Sequence, residues 1–229
     1  MNSFRTSSPP DSPSPSRRPA IVFDMDGVLA DTERLKFRAH RAATEEAGGT
    51  LDADGYRQEM GKAHVGVIRA FLSASGLDTS DGAVERYEDR FQEAYRKLLA
   101  TDLQPMQGAR ELLATCREQE RPLALVTSSE RWMAEIVLQE ILKGIPAGPR
   151  DRTTSDGDTA FDRGAVFQAI VTADDVEKEK PDPEPYLRAI EALLPRDARK
   201  PREDTEVGSR NGAEKRPIVA VEDTPAGVT

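Results

Sequence analysis

Two aspartates one residue apart, Asp24 and Asp26, follow the short apolar run Ile21-Val22-Phe23 and precede Gly27. Alternation along an extended chain puts residues i and i+2 on one face, so two carboxylates can address one substrate atom from different angles. This is the arrangement of a phosphoryl-transfer nucleophile, and the C-terminal end of a buried strand is where open α/β sheets place their ligands. Gly27 lets the chain turn away without putting a side chain into the site. Asp-x-Asp-Gly is also an ordinary turn signal, and the chain carries its own comparison. Asp52-Ala53-Asp54-Gly55 has the same spacing. Only the polar turn Gly48-Gly49-Thr50 and a lone Leu51 precede it, so no buried strand aims those carboxylates, and they read as a solvated loop or helix start.

Two further apolar runs and one charged segment carry residues suited to phosphate chemistry. Leu123-Ala124-Leu125-Val126 runs into Thr127-Ser128-Ser129 and then a helical pattern. Alone this is a good helix cap; it also offers hydroxyls and free backbone N–H groups where anions bind. In Glu177-Lys178-Glu179-Lys180-Pro181-Asp182-Pro183 the lysine that Pro181 holds in place is Lys180, whereas the remaining charges read as solvated. Ile218-Val219-Ala220-Val221 ends in Glu222-Asp223, a pair of hard oxygen ligands of the kind that suits Mg²⁺.

The elements that must position these groups follow from periodicity. Helices are predicted over 109–118, 130–142 and 184–194, and strands over 123–126, 166–171 and 218–221; this alternation indicates a parallel sheet covered by helices. Residues 32–99 read as helical throughout, broken by glycines, with Val84, Tyr87, Phe91, Tyr95, Leu98 and Leu99 at helical spacing. An all-helical insert over 31–104 is therefore expected, within an α/β core made of 20–30 and 105–229. Segments 144–164 and 195–217 are rich in Pro, Gly and charge without apolar periodicity and read as flexible insertions. Residues 1–19 read as a disordered Ser/Pro/Arg-rich tail.

With 229 residues, 37% of them hydrophobic, the chain can bury one domain plus a smaller insert. A net charge of -9 argues against nonspecific nucleic-acid binding or docking to an anionic membrane, and it requires a phosphate site to recruit positive charge locally. Cys116 is the single cysteine, which excludes an internal disulfide and a cysteine metal cluster; its place in a helical pattern reads as a core thiol. No apolar run is long enough to span a bilayer. A cytoplasmic location is expected, with the Ser- and Arg-containing tail weakly reminiscent of an organelle transit peptide.

Taken in order, these four motifs resemble those of the haloacid dehalogenase superfamily. The fullest resemblance is to its beta-phosphoglucomutase-like and sugar-phosphate phosphatase branch, through 23–29, Asp31-Thr32-Glu33, Lys180-Pro181-Asp182-Pro183 and 221–228. The resemblance implies a Rossmann-like core with a helical cap after the first strand. It makes Asp24 the nucleophile, forming an aspartyl-phosphate, and Asp26 the acid that protonates the leaving oxygen and later activates water. Thr127 and Lys180 would hold the phosphoryl oxygens, with Ser128 and Ser129 beside them. Mg²⁺ would sit on Asp24, the Asp26 carbonyl and Asp223, with Glu222 assisting.

The pattern departs from its relatives in two places that bear on activity. Lys36 stands where such mutases carry a histidine, and Gly61-Lys62-Ala63-His64 replaces a loop carrying an arginine, so contact with a distal phosphate falls to Lys62 or His64. Both changes favour hydrolysis. The family also continues beyond the acidic motif with a helix and a strand, which are expected to be missing from this core. The expectation is thus a Mg²⁺-dependent phosphatase acting on a small phosphorylated metabolite, a sugar phosphate, with no nucleic-acid or membrane partner and no signal for oligomeric state. The alternatives are a phosphomutase and a truncated, non-catalytic fragment.

Overall fold

The computed structural model describes residues 18–60, 62–145, 166–193 and 217–222. The tail up to residue 17, nearly all of both expected insertions, Asp223 and the residues after it lie outside the described residues. Four parallel strands form one sheet in the order β3-β2-β1-β4: β1 (Ala20–Phe23), β2 (Leu123–Val126), β3 (Ala169–Val171) and β4 (Ile218–Val221). The central strands are short continuous apolar runs because both faces are covered. All four residues of β2 are buried, as are Val22 and Phe23 of β1. On one face α7 (Glu184–Leu193) sets Ala189 and Leu193 against Val22, Ala124 and Val126. The main core, which includes Phe23 and Leu125, takes Leu113 and Cys116 from α5 (Ala109–Glu118) and Ala134, Val137 and Ile141 from α6 (Arg131–Ile141). The result is a Rossmann-like α/β arrangement.

The third strand is shorter than its apolar run predicts. Val166 and Phe167 are buried, and Phe167 meets Phe23 edge-on with centroids 6.5 Å apart, yet both lie before the strand. Their hydrophobicity reports burial under the sheet rather than ladder pairing.

Helices α1 (Glu33–Glu46), α2 (Ala53–Glu59), α3 (His64–Ala74) and α4 (Asp81–Asp102) lie between β1 and α5. The chain leaves and returns through adjacent segments: Ala30 bridges to Pro105, and Asp31 N–H donates to the Gln104 carbonyl at 3.0 Å. Along α4, Ala83, Val84, Tyr87, Phe91, Tyr95 and Leu99 recur every three or four residues and form the buried stripe, against which α1 packs. Arg96 of α4 stacks its guanidinium 3.6 Å from the centroid of the Trp132 ring on α6.

His40 differs from the partly exposed helix residue that its sequence context suggests. It falls on the same face of α1 as Leu35, Ala39 and Ala43, is 5% exposed, and stacks on Phe91 with centroids 4.1 Å apart. Burial, with His64 and Lys36 nearby, pushes the imidazole down to about 3, so it is neutral and pairs with the Tyr87 hydroxyl at 3.2 Å. The second Asp-x-Asp-Gly starts a helix: Asp52 caps α2, accepting from Gly55 N–H at 2.7 Å, and exposed Asp54 pairs with Arg57.

Candidate active site

Strand β1 delivers Asp24 to the C-terminal edge of the sheet, where its N–H donates to the Val221 carbonyl of β4 at 2.9 Å. Gly27 takes φ +73° and donates to the Ala30 carbonyl, turning the chain back under the site. Lys180 reaches the same edge from the segment before α7, bound to Asp24 Oδ1 at 2.9 Å, Glu222 Oε1 at 3.0 Å and the Val126 carbonyl at 3.1 Å. One ammonium therefore ties the ends of β1, β2 and β4 together. Asp24 Oδ2 carries no hydrogen bond among the described residues.

Asp26 is held more tightly. Its Oδ1 accepts from the Thr32 hydroxyl at 2.5 Å and from Lys36 Nζ at 3.0 Å; its Oδ2 accepts from the Thr127 hydroxyl at 3.0 Å and the Ser129 hydroxyl at 2.8 Å. Ser129 N–H also donates to Thr127 Oγ1 at 3.0 Å, fixing the hydroxyl that precedes it. Ser128 between them is exposed.

The two carboxylates are pushed apart electrostatically. Burial drives Asp24 up to about 7, because the opposing pull of Lys180 is incomplete and Asp26 and Glu222 add repulsion. Burial acts on Asp26 too, but there the charge of Lys36 and the bonds from Thr32, Lys36 and Ser129 outweigh it and bring the group down to about 2. Lys36 is held well above its ordinary range: burial opposes its charge, but Asp26 and Glu33 more than compensate.

Lys62 and His64 pair with other residues than these. Exposed Lys62 pairs with Glu59 of α2 at 2.8 Å. His64 pairs with Glu88, a hydrogen bond that raises the imidazole above its ordinary value. Asp223 lies outside the described residues, and among those described no three His, Cys, Asp or Glu side chains form a metal-binding group. The donor chemistry nevertheless suits a hard cation. Asp24, Asp26, Glu33 and Glu222 face Lys36 and Lys180, which leaves the described site two charges negative when Asp24 is ionised for attack. Lys36, Thr32 and Glu33 are the participants that strand-end reasoning alone does not reach, since they stand on or just before α1. The signal available for them is their close spacing after Asp26.

A profile of the haloacid dehalogenase-like hydrolases matches residues 19–229. The chain belongs to this family. Among haloacid dehalogenase-like relatives, a phosphorylated carbohydrates phosphatase of Thermotoga maritima is 30% identical over 174 residues, covering 76% of this chain and 70% of that protein. An N-acetylmuramic acid 6-phosphate phosphatase of Pseudomonas aeruginosa is 28% identical over 220 residues, covering 92% of this chain and 87% of that one. The crystal structure of a putative beta-phosphoglucomutase from Thermotoga maritima superposes with a TM-score of 0.57 at 29% identity, covering 76% of this chain and 70% of that chain. The Rossmann-like sheet is thus the haloacid dehalogenase-like hydrolase fold, and no helix among the described residues is long and apolar enough to cross a membrane.

Proposed function

We propose that this hydrolase is a Mg²⁺-dependent phosphatase that releases phosphate from a small phosphorylated metabolite, most consistent with a sugar phosphate, through a phosphoryl group carried on Asp24. The observation that supports it best is the meeting of Asp24, Lys180 and Glu222 with the Asp26, Thr127 and Ser129 cluster at one edge of a parallel sheet. The phosphatase relatives support the same reaction class.

In this reading Asp24 attacks phosphorus as the bond to the leaving oxygen breaks, and Asp26, ionised in the free site, takes up the proton that a monoanionic phosphomonoester brings and passes it to that oxygen. Water then attacks the phosphoryl-aspartate, giving its proton to Asp26 and returning Asp24. Lys180 and Thr127 hold phosphoryl oxygens, and Ser129 keeps Thr127 oriented. Asp24, the Asp26 carbonyl, Glu222 and Asp223 would hold Mg²⁺. The ion's contribution is to screen the dianionic phosphate from the nucleophile and to draw Asp24 into its ionised form.

The test is phosphate release from a panel of phosphorylated metabolites by purified protein, with Mg²⁺ and with chelator. Asp24→Asn should abolish release, and Asp26→Asn should slow both formation and hydrolysis of the phosphoryl-enzyme. Near-normal turnover in Asp24→Asn refutes the assignment. The resemblance to a putative beta-phosphoglucomutase structure keeps one competing reaction in view. Conversion of a hexose 1-phosphate to its 6-phosphate faster than phosphate release would favour that reading instead.

A further inference from the structure

Every acceptor position of Asp26 is taken. A carboxylate offers about four lone-pair sites, and Thr32, Lys36, Thr127 and Ser129 fill them, two on each oxygen. The core supplies both donors to Oδ2; the hinge and α1 supply both donors to Oδ1. Of the four, Lys36 is the charged donor, and charge-assisted hydrogen bonds are roughly twice as strong as neutral ones.

Lys36 also connects Asp26 to the cap. Its ammonium bonds Glu33 Oε1 at 3.2 Å, and Glu33 Oε2 accepts from the Tyr56 hydroxyl of α2 at 3.2 Å. The Tyr56 ring packs against Phe37, His40 and Phe71. A polar chain therefore runs from Asp26 through Lys36 and Glu33 into the aromatic core of the cap. The fully buried Tyr95, whose hydroxyl has no hydrogen-bond partner among the described residues, interacts electrostatically with Lys36, Asp26 and Glu33.

A phosphoryl group entering the site gives one donor an alternative. Thr127 stands at the strand end beside Asp24 and can turn its hydroxyl to a phosphoryl oxygen, which frees one lone pair on Oδ2. Lys36 and Thr32 keep their hold on Oδ1. We propose that Lys36 is a positioning residue for Asp26: it anchors Oδ1 to the cap, so that Oδ2 is the atom that takes up the substrate's proton when Thr127 turns away and passes it to the leaving oxygen. The proposal rests on the phosphatase reading above. A displacement of about 1 Å in such a group can cost on the order of 10²-fold in rate.

The test compares kcat/KM for two leaving groups. Nitrophenolate departs without a proton, whereas a sugar alkoxide needs one. Lys36→Met should lower kcat/KM for a sugar phosphate by about 10²-fold and that for p-nitrophenyl phosphate by no more than about threefold, with Lys36→Arg recovering part of the loss. Equal losses on both substrates overturn the proposal, because general damage to folding or to metal binding does not discriminate between leaving groups. If Lys36→Met does not fold, Tyr56→Phe, which removes the far end of the chain, should shift the same ratio in the same direction; an unchanged ratio there also overturns it. A wild-type protein that hydrolyses neither substrate would refute the phosphatase reading instead. A melting-temperature cycle pairing Lys36→Met with Asp26→Asn then decides the positional claim, since strictly additive shifts would show that the two residues do not act together.

Discussion

Asp24 should make the metal-free protein less stable as the pH rises. Its carboxyl is pushed from the ordinary 3.8 to about 7 in the folded chain, chiefly by burial. Between those values the folded state binds more protons than the unfolded state, so stability is greatest below pH 4 as far as this group is concerned and is lost as the pH rises through 7. Roughly three pKa units correspond to about 4 kcal/mol, a large share of a total margin of about 5–15 kcal/mol. His40 works in the opposite direction over pH 3 to 6.5, so the wild-type curve alone is ambiguous. The difference between wild type and Asp24→Asn cancels His40 and isolates the term. Urea unfolding in chelator from pH 4 to 8 should show Asp24→Asn gaining on wild type by up to about 4 kcal/mol, with saturating Mg²⁺ removing most of that gain by stabilising the ionised carboxylate. Parallel curves for the two proteins in chelator would show that the folded environment does not disfavour the Asp24 charge.

Three other outcomes follow from the same geometry. Lys180→Met leaves Asp24 and Glu222 without their shared ammonium and should cost about 3–5 kcal/mol in urea unfolding, with turnover down by at least about 10²-fold. His40→Phe should flatten the acid limb of the stability curve: a neutral buried imidazole at about 3 loses stability as pH falls from 6.5 toward 3, and an unchanged limb would mean that the ring titrates normally. Asp52→Ala should remove a helix cap worth about 1 kcal/mol and leave turnover within about twofold of wild type, as expected of an Asp-x-Asp-Gly that starts α2.

The sequence and the structure agree where burial alone decides the outcome. β1 and β2 are apolar runs with no competing signal, and the alternation of strands and helices suffices for a parallel sheet. The two copies of Asp-x-Asp-Gly separate by what precedes them, because an apolar run can only be a buried element and Gly48-Gly49-Thr50 can only be a turn. Agreement stops where partners matter. Thr127 and Ser129 lie 101 and 103 residues from Asp26 in the chain, and no local pattern states that their hydroxyls turn to Asp26 Oδ2. His40 was obscured for a related reason: helical spacing shows that position 40 shares a face with Leu35 and Ala43, but its imidazole is polar, and only the aromatic surroundings of Phe91 and Tyr87 make burial tolerable. Val166 and Phe167 err the other way, since hydrophobicity is the same signal for a strand and for a loop pinned under a sheet.

The charge arrangement carries the strongest argument for a divalent cation. Lys180 is shared by Asp24 and Glu222, and Lys36 by Asp26 and Glu33, so the carboxylates already match or exceed the charge of each ammonium that a phosphate meets. With Asp24 ionised, as a nucleophile must be, the described site is two charges negative before a dianion arrives. At an effective dielectric of about 20, two like unit charges about 4 Å apart repel by about 4 kcal/mol, and several such pairs would form at once. Two positive charges offset the excess, and hard carboxylate oxygens select Mg²⁺ over softer metals. Inorganic phosphate, the reaction product, titrated calorimetrically into the wild-type protein should bind at least about tenfold more tightly with Mg²⁺ than in chelator, equivalent to about 1.4 kcal/mol. Because the repulsion acts on the bound anion itself, equal affinity in both buffers would mean that the lysines alone neutralise it, and the electrostatic case for the metal would fail even if the enzyme proved active.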